Sequence, residues 1–408
     1  MNRTQALSEW KLEVSSRMPH LSKPQAVVLA LWSFGIVFTR SCGRVTVATF
    51  LALLLGRKRD AVEQQLYEWC VEARRKRGSK RHELDVTSCF VPLLRWMISM
   101  WGDSLQIALT LDATTLSTRF AILVVSVVYR GNAIPVAWTI VPATEKRAWR
   151  RDWLRMLRLL RPGIPSDWTV LVLSDRGLYA RWLFGRIVRL GWHPFMRIKA
   201  GSTFRPAGKA TWVKLRTLVT AIGQTWQGRG TCFQGEAKLT CTLVAWWGEG
   251  YEEPWFVITD FDPEACDVAW YGLRTWCEQG FKCTKRGGWQ WQQTQMTDPE
   301  RAARLWLAMA VASLWTISVG SALEVPADGE TDLDLGDLPE LRALLGTTRT
   351  GRPRRIRLFR LGWIVLLVRA LNHQSIPMPQ RLSPEPWPTT PPYHPERNER
   401  HDAPSARE

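Results

Sequence analysis

The sequence predicts an α/β protein with a mixed sheet, preceded by a helical region. From residue 106 to about residue 200, strand-like and helix-like segments alternate, which is typical of a sheet covered by helices. Residues 1–100 contain instead a series of apolar stretches with helical spacing. The length of 408 residues and the hydrophobic content of 46% are sufficient for two or three domains with buried cores.

The helical region divides into at least three stretches. Residues 26–39 and 45–55 are apolar and are separated by Arg40 and Gly43, and residues 60–77 continue with helical spacing into a basic run, RRKRGSKR. Short helices followed by a basic run resemble a DNA-binding helical domain. Helices that only pack together, with the run as a solvated connector, explain the same pattern equally well.

The first strands of the α/β region follow. Residues 105–111 form an apolar run that ends at Asp112. Residues 120–129 and 133–141 are rich in β-branched side chains, and the sequence Arg-Gly-Asn at 130–132 between them predicts a hairpin. These three runs therefore predict three strands.

The next segments alternate. Residues 145–161 predict an amphipathic helix with a basic exterior, and residues 168–173 predict a strand buried on both faces that leads into Asp175. A helix at 179–190 and a short strand at 194–198 complete the alternation, and strand-like segments within 200–265 predict a β-rich insertion.

The charge balance points to a polyanionic partner. The chain has 55 Lys and Arg against 37 Asp and Glu, a formal net charge of +18 and a pI near 10.0. This favours nucleic acid over two alternatives, an anionic membrane surface and a basic protein whose charge serves only its solubility. The uncharged stretch 305–323 just reaches the length of a spanning helix, but we interpret it as a buried core helix, so no membrane partner is expected.

Cysteine and histidine usage favours a reducing compartment. The eight Cys include no C-x-x-C pair and the six His are scattered, so neither a disulfide framework nor a zinc site is expected. The first residues, MNRTQALSEWKLEVSS, have no apolar central stretch, so we expect no signal peptide and a cytoplasmic location.

The most informative motif is YGLRTWCEQGFKCTK at residues 271–285. It contains Tyr271, Arg274, Glu278 and Lys285 in the pattern Y-x2-R-x3-E-x6-K. On an α-helix, offsets of 0, 3 and 7 bring the first three side chains to one face, so a phenol, a guanidinium and a carboxylate would address the same target.

Two aspartates add to this carboxylate. Asp112 and Asp175 each come where a predicted strand stops, and the carboxyl ends of neighbouring parallel strands meet at one edge of a sheet. Either one alone is compatible with an ordinary turn residue or helix N-cap. With Glu278 they form an oxygen-only set that suits Mg²⁺ or Mn²⁺, and two such ions can promote an in-line phosphodiester displacement.

Other carboxylates are candidates for the third position. Asp260 and Asp262 follow a predicted strand at 255–259, and Glu264 and Asp267 are also close in sequence. The spacing of the motif at 271–285 favours Glu278 over these four.

Asp112, Asp175 and Glu278 lie in the segments LTLDATTL, VLVLSDRGLYARWLF and YGLRTWCEQGFKCTK. Through these segments the chain resembles the DDE transposases of the insertion-sequence-four family, over residues 106–320. The resemblance implies an RNase H-like mixed-sheet catalytic core with a β-rich insertion. It implies that Asp112, Asp175 and Glu278 are the catalytic and metal-binding residues, with two Mg²⁺ or Mn²⁺ ions.

The remaining motif residues are expected to contact DNA. Tyr271, Arg274 and Lys285 would contact phosphates, and the less favoured alternative for Tyr271 is a residue that caps the core. Lys282 and Arg286 would add unspecific phosphate contacts, and the alternative is that both are only solvated. Relatives hold a flipped base on an aromatic side chain, for which several of the 24 Trp are candidates, Trp289 among them.

The function that the resemblance implies is cut-and-paste transposition of a bacterial insertion sequence. The protein would bind terminal inverted repeats as a homodimer in a synaptic complex with target DNA, near the nucleoid. Two alternatives stay open: a DNA-binding protein without catalysis, either decayed or adapted by its host, and an RNase H-like nuclease that does not join strands.

The same reasoning predicts the organisation of the chain. The expected parts are a helical and DNA-binding domain (1–100), a first part of the catalytic core (105–199), the β-rich insertion (200–265), a second part of the core (266–323), a C-terminal helical region (324–382) and a disordered tail (383–408).

Overall fold

The computed structural model describes residues 3–78, 81–145, 149–323 and 357–391. These residues form two compact units. Of these residues, those within Met1–Ser104, Ala113–Pro165 and Cys277–Glu385 form unit 1, and those within Leu105–Asp112, Ser166–Trp276 and Pro386–Glu408 form unit 2.

The described residues contain both helices and strands. The helices are α1 (Arg3–Arg17), α2 (Lys23–Thr39), α3 (Arg44–Leu55), α4 (Arg59–Cys70), α5 (Phe90–Ser99), α6 (Arg150–Leu160), α7 (Arg181–Arg189), α8 (Trp276–Thr284), α9 (Pro299–Ala322) and α10 (Leu358–Leu371). The strands are β1 (Gln106–Leu116), β2 (Phe120–Tyr129), β3 (Asn132–Pro142), β4 (Thr169–Ser174), β5 (His193–Arg197), β6 (Thr203–Pro206), β7 (Val213–Lys214), β8 (Thr225–Cys232), β9 (Leu239–Trp246) and β10 (Trp255–Thr259). The expected α/β class and the helical N-terminal region are therefore confirmed.

The N-terminal helices pack into the core of unit 1. Helix α2 is buried along most of its length, and it contacts α1, α3 and α9. Trp10 of α1 stacks on Trp315 of α9 with ring centroids 4.1 Å apart. The predicted helix at 60–77 is shorter than expected, because α4 ends at Cys70 and Val71 is extended.

Helix α9 is the centre of unit 1. Asp298 caps its N-terminus by accepting from the backbone N–H groups of Glu300 and Arg301. Among the described residues, α9 is the one helix that is long and apolar enough to cross a membrane. The bent pair of α2 and α3 would be a second candidate if the two helices were counted as one span. The apolar window of α9 is wholly buried. The interpretation of 305–323 as a buried core helix is confirmed.

Helix α10 packs closely on α9 through two glycines. A Cβ at Gly320 would lie 2.0 Å from the carbonyl oxygen of Leu358, and one at Gly362 would lie 1.9 Å from that of Thr316. Glycine is required at both positions because the two backbones are in contact. Of the predicted helical region 324–382, residues 324–356 lie outside the described residues.

The hairpin of β2 and β3 follows its turn chemistry. Tyr129 pairs with Asn132, and the two residues between them, Arg130 and Gly131, have φ of 42° and 77°. Positive φ at both central positions defines the turn that matches the twist of two adjoining strands, so the predicted hairpin is confirmed.

Unit 2 is built on a mixed sheet. Strands β1, β4 and β5 are parallel neighbours, and the sheet continues from β5 through β10, β9, β8, β6 and β7 with antiparallel pairings. The strands of the predicted β-rich insertion therefore extend the sheet of the α/β core, because Val257 of β10 pairs directly with Arg197 of β5.

The start of the predicted disordered tail is ordered. The backbone N–H of Ser383 donates to the hydroxyl of Tyr129 at 2.8 Å in unit 1. In unit 2, the N–H of Thr390 donates to Asp267 at 2.7 Å and Trp387 packs edge-on against Trp270. The prediction is wrong for residues 383–391, and residues 392–408 lie outside the described residues.

Candidate active site

The carboxyl ends of β1 and β4 place two aspartates side by side in unit 2. The last parallel pair is Leu111 with Ser174, so Asp112 and Asp175 are the next residues on the two strands. Equivalent register puts their side chains on the same face of the sheet. Sequence reasoning ended the strand at Asp112, whereas β1 continues to Leu116 and only its pairing with β4 ends there.

Arg274 lies against both carboxylates. Its Nη2 is 3.1 Å from Oδ2 of Asp112 and 3.4 Å from Oδ2 of Asp175. The side chains of Arg274 and Asp112 are 15% and 16% exposed, whereas that of Asp175 is 42% exposed and accessible from solvent. Two carboxylate oxygens thus converge on one positively charged atom. We call Asp112 and Asp175 the carboxylate pair.

A tight turn orients Asp175. Its Oδ1 accepts from the backbone N–H of Gly177 at 2.9 Å, and its carbonyl oxygen accepts from the N–H of Leu178 at 3.0 Å. A Cβ on Gly177 would lie 3.1 Å from Oδ1, so glycine permits this close approach. The turn fixes Oδ1 and leaves Oδ2 directed to Arg274.

Arg274 and Tyr271 lie on a 3-10 helix, Val268–Thr275, and not on the predicted α-helix. Asp267 begins this helix by accepting from the N–H of Ala269 at 2.8 Å. In a 3-10 helix residues three apart are eclipsed, so Tyr271 and Arg274 still share a face.

Tyr271 is largely buried. It is 4% exposed, its ring meets Trp255 edge-on at 5.1 Å, and the guanidinium of Arg197 lies 5.9 Å from the ring centroid. Burial raises the pKa of its hydroxyl to about 12. In this structure Tyr271 supports the site as part of the core and has little surface for a phosphate.

Glu278 belongs to unit 1. It is exposed and lies in the first turn of α8, which begins directly where the 3-10 helix of Arg274 ends.

A basic cleft in unit 1 brings three predicted DNA-binding residues together. Lys282, Lys285 and Arg286 line a cavity of about 610 Å³ with Arg119. Lys282 and Arg286 are exposed, and Arg119 is held by hydrogen bonds from Nη1 to the carbonyl oxygens of Thr294 and Met296. Sequence reasoning did not identify Arg119, since it lies more than 160 residues earlier in the chain than the lysines. We call these four residues and their cavity the basic cleft.

Lys285 is positioned by the end of β1. Its Nζ donates to Oγ1 of Thr114 at 2.8 Å and to the carbonyl oxygen of Thr115 at 3.0 Å. Burial lowers the pKa of the Lys285 ammonium below its usual 10.5. The ammonium is therefore oriented before any ligand arrives.

Trp289 is a core residue, so it is removed from the expected DNA-binding set. It has 0% exposure, its Nε1 donates to Oγ of Ser313 at 2.8 Å, and its ring meets Phe359 edge-on at 4.8 Å. The basic run around it suggested a surface position, but the two glycines before it turn the chain back into the core.

The competing carboxylates have structural partners. Asp260 lies 3.1 Å from Nδ1 of His193, Asp262 lies 2.7 Å from Nη2 of Arg229, and Asp267 caps the 3-10 helix. Each of these three carboxylates thus has a structural role, as an ion-pair or helix-capping residue.

The donor chemistry of the carboxylate pair fits a hard divalent cation. Both ligands are oxygens, and the position of Arg274 Nη2 marks where they attract positive charge. Among the described residues, no group of three or more His, Cys, Asp or Glu side chains is arranged to hold a metal ion.

No family model and no curated protein matches the chain. Among solved structures, the chain is similar to piggyBac transposase in a synaptic complex with hairpin DNA, with a TM-score of 0.41 and 11% sequence identity. The similarity covers 72% of this chain and 65% of that one, less than two thirds of its length.

Proposed function

We propose that this chain is a metal-dependent DNA transposase of the DDE type, similar to the insertion-sequence-four family. The observation that carries the proposal is the convergence of Asp112 and Asp175 on one cationic position at the carboxyl ends of two parallel strands. Functional groups of open α/β sheets gather at this edge, and an oxygen-only pair is suited to phosphodiester chemistry.

In this proposal the carboxylate pair holds Mg²⁺ or Mn²⁺, with Glu278 as the third carboxylate. The bound ions would neutralise the scissile phosphate and activate the attacking hydroxyl. Glu278 is supported by its exposure and by its place four residues after Arg274, on the helix that follows directly. Arg274 then turns from the carboxylates to a DNA phosphate, for which its planar fork is suited.

The basic cleft would bind the backbone of the transposon end. Lys282 and Arg286 are exposed there and Lys285 is already oriented, so phosphates can be contacted with little rearrangement. The net charge of +18 adds long-range attraction for DNA. We further propose that two copies of the chain bring the two inverted repeats together with target DNA.

The test uses the DNA that flanks the coding region, including any inverted repeats. We expect Mg²⁺- or Mn²⁺-dependent nicking at the repeat ends and joining to a target duplex. Asp112→Asn, Asp175→Asn and Glu278→Gln should each abolish both steps while DNA binding persists, because the amides keep the shape and lose the charge.

Asp167→Asn is the matched control, since Asp167 is an exposed aspartate shortly before β4 in unit 2. Cleavage by an amide variant at the wild-type rate would remove that residue from the catalytic set. Hydrolysis without joining would indicate an RNase H-like nuclease, and binding without either reaction would indicate a non-catalytic DNA-binding protein.

A further inference from the structure

Two arginines of unit 2 converge on one carboxylate oxygen. Arg197 Nη2 lies 2.9 Å from Oε1 of Glu253, and Arg176 Nη1 also donates to this oxygen. Arg176 directly follows Asp175, whereas Arg197 is the last residue of β5. Glu253 lies between β9 and β10.

The cluster carries more positive charge than its own carboxylate neutralises. Two guanidiniums face one carboxylate, and the Arg197 side chain, 17% exposed, lies near the ring of Tyr271. Neighbouring guanidiniums repel each other unless an anion lies between them. The two guanidiniums therefore resemble an anion-binding site in which the carboxylate of Glu253 takes the place of the anion.

The site is open to a ligand. The Glu253 side chain is 39% exposed and that of Arg176 is 52% exposed, so a larger anion could reach the Arg176 guanidinium and replace the carboxylate. The Arg197 side chain is 17% exposed and would be reached at the position that Glu253 leaves. A phosphate offers more acceptor oxygens than a carboxylate and suits the planar donor fork of Arg. The Arg176–Glu253 ion pair is exposed on both sides and is therefore weak, so its replacement costs little.

We propose that Arg176 and Arg197 form a phosphate-binding subsite for the DNA strand beside Asp175, and that Glu253 occupies this subsite when DNA is absent. The inference rests on the proposed function, because it names where a DNA phosphate is held next to a catalytic carboxylate. On DNA binding, Glu253 leaves and the two guanidiniums take the phosphate.

The neighbouring loop residues make a matched comparison possible. Glu252 is the residue next to Glu253 and is exposed. In the described structure Glu252 forms no ion pair with an arginine. The loop itself is fixed by Trp247, whose Nε1 donates to the carbonyl oxygen of Tyr251 at 2.8 Å. Glu253→Gln and Glu252→Gln therefore remove the same charge from the same loop.

The experiment measures binding of a labelled duplex of arbitrary sequence to the full chain, without divalent metal, over a series of salt concentrations. We expect Glu253→Gln to bind about fivefold more tightly than Glu252→Gln, since only the former frees the two arginines. Arg176→Ala should weaken binding about tenfold and reduce the slope of log affinity against log salt by about 1.

The double variant Arg176→Ala/Glu253→Gln tests whether the two side chains act through each other. It should lose most of the gain that Glu253→Gln gives to the wild type. Arg176 is half exposed, so its truncation leaves the fold intact, and a thermal unfolding curve of each variant checks this.

Equal affinities of the two glutamine variants, or an unchanged salt slope for Arg176→Ala, would overturn the subsite. Either result could occur in a chain that still cleaves DNA in a metal-dependent way, and then only the subsite fails. A wild-type chain with no salt-dependent DNA binding would instead contradict the proposed function.

Discussion

Asp112 and Asp175 share one counter-ion, because Oδ2 of each lies within 3.4 Å of Nη2 of Arg274. Two carboxylates at neighbouring strand ends repel each other, and the guanidinium offsets this repulsion in the metal-free protein. A divalent cation would offset it in the same way, so Arg274 and a metal ion are alternative partners of the carboxylate pair.

Arg274→Ala should make the protein more dependent on divalent cations for stability. Removal of the guanidinium takes away the ion pair that both carboxylates share, so we expect the free energy of unfolding in the presence of a chelator to fall by about 2 kcal/mol. Addition of Mn²⁺ should then raise the melting temperature of the variant more than that of the wild type. Thermal unfolding with chelator and with Mn²⁺ measures both effects.

Arg216→Ala is the control for this comparison. Arg216 is an exposed arginine of unit 2 with no ion pair in the described structure, so its removal should leave the response to Mn²⁺ unchanged. An equal Mn²⁺ response in Arg274→Ala and the wild type would contradict competition between Arg274 and the metal.

The buried hydroxyl of Tyr271 predicts a pH dependence of stability. Burial raises its pKa from 10.0 to about 12, so the folded state favours the neutral phenol. This contribution is complete below pH 10 and is lost as the pH rises through 12, and it amounts to about 3 kcal/mol. Tyr271→Phe should lack it. The titration of Tyr271 is measured as the difference in tyrosinate absorbance between wild type and variant as the pH is raised. Its midpoint should lie near pH 12. A midpoint near pH 10 would show that Tyr271 is exposed.

The contact of α9 with α10 predicts opposite effects of the same substitution at two helical glycines. Gly362→Ala would place a Cβ 1.9 Å from the carbonyl oxygen of Thr316, so we expect a loss of about 3 kcal/mol in the free energy of unfolding. Gly185→Ala in α7 meets nothing closer than 3.8 Å, at the flexible end of Arg189, and should gain up to about 1 kcal/mol. Chemical denaturation measures both, and a neutral Gly362→Ala would show that the helices can separate.

Sequence reasoning succeeded where local chemistry decides the structure. The positive φ values at Arg130 and Gly131 fix the hairpin of β2 and β3, and an apolar run fixes β4 up to Asp175. Strand β1 extends to Leu116, beyond the end predicted at Asp112, because residues 113–116 lie beyond the pairing with β4 and alternate with exposed positions. In the segment 268–275, eight residues are too few for the hydrophobic spacing to distinguish a 3-10 helix from an α-helix.

Contacts between distant parts of the chain could not be predicted. Glu253 is 77 residues from Arg176 and 56 from Arg197, so no spacing in the sequence connects them. Trp289 was misassigned because tryptophan serves both cores and binding surfaces, and only its 0% exposure distinguishes them. The basic cleft required the fold for the same reason, since Arg119 reaches it from the turn after β1.

Lys285→Ala should weaken DNA binding through the basic cleft without unfolding the chain. The lysine is held by Thr114 and Thr115 and its ammonium is oriented in the absence of DNA, so its loss should reduce the salt slope of duplex binding by about 1. Because burial lowers the pKa of Lys285, its ammonium loses its charge at a lower pH than a solvated lysine does, and the difference between wild type and variant should shrink as the pH rises toward 10.5. Lys209→Ala, which removes an exposed lysine from the segment between β6 and β7, is the control and should have a smaller effect. If Lys285→Ala leaves the salt slope unchanged and weakens duplex binding no more than Lys209→Ala does, DNA does not enter the basic cleft.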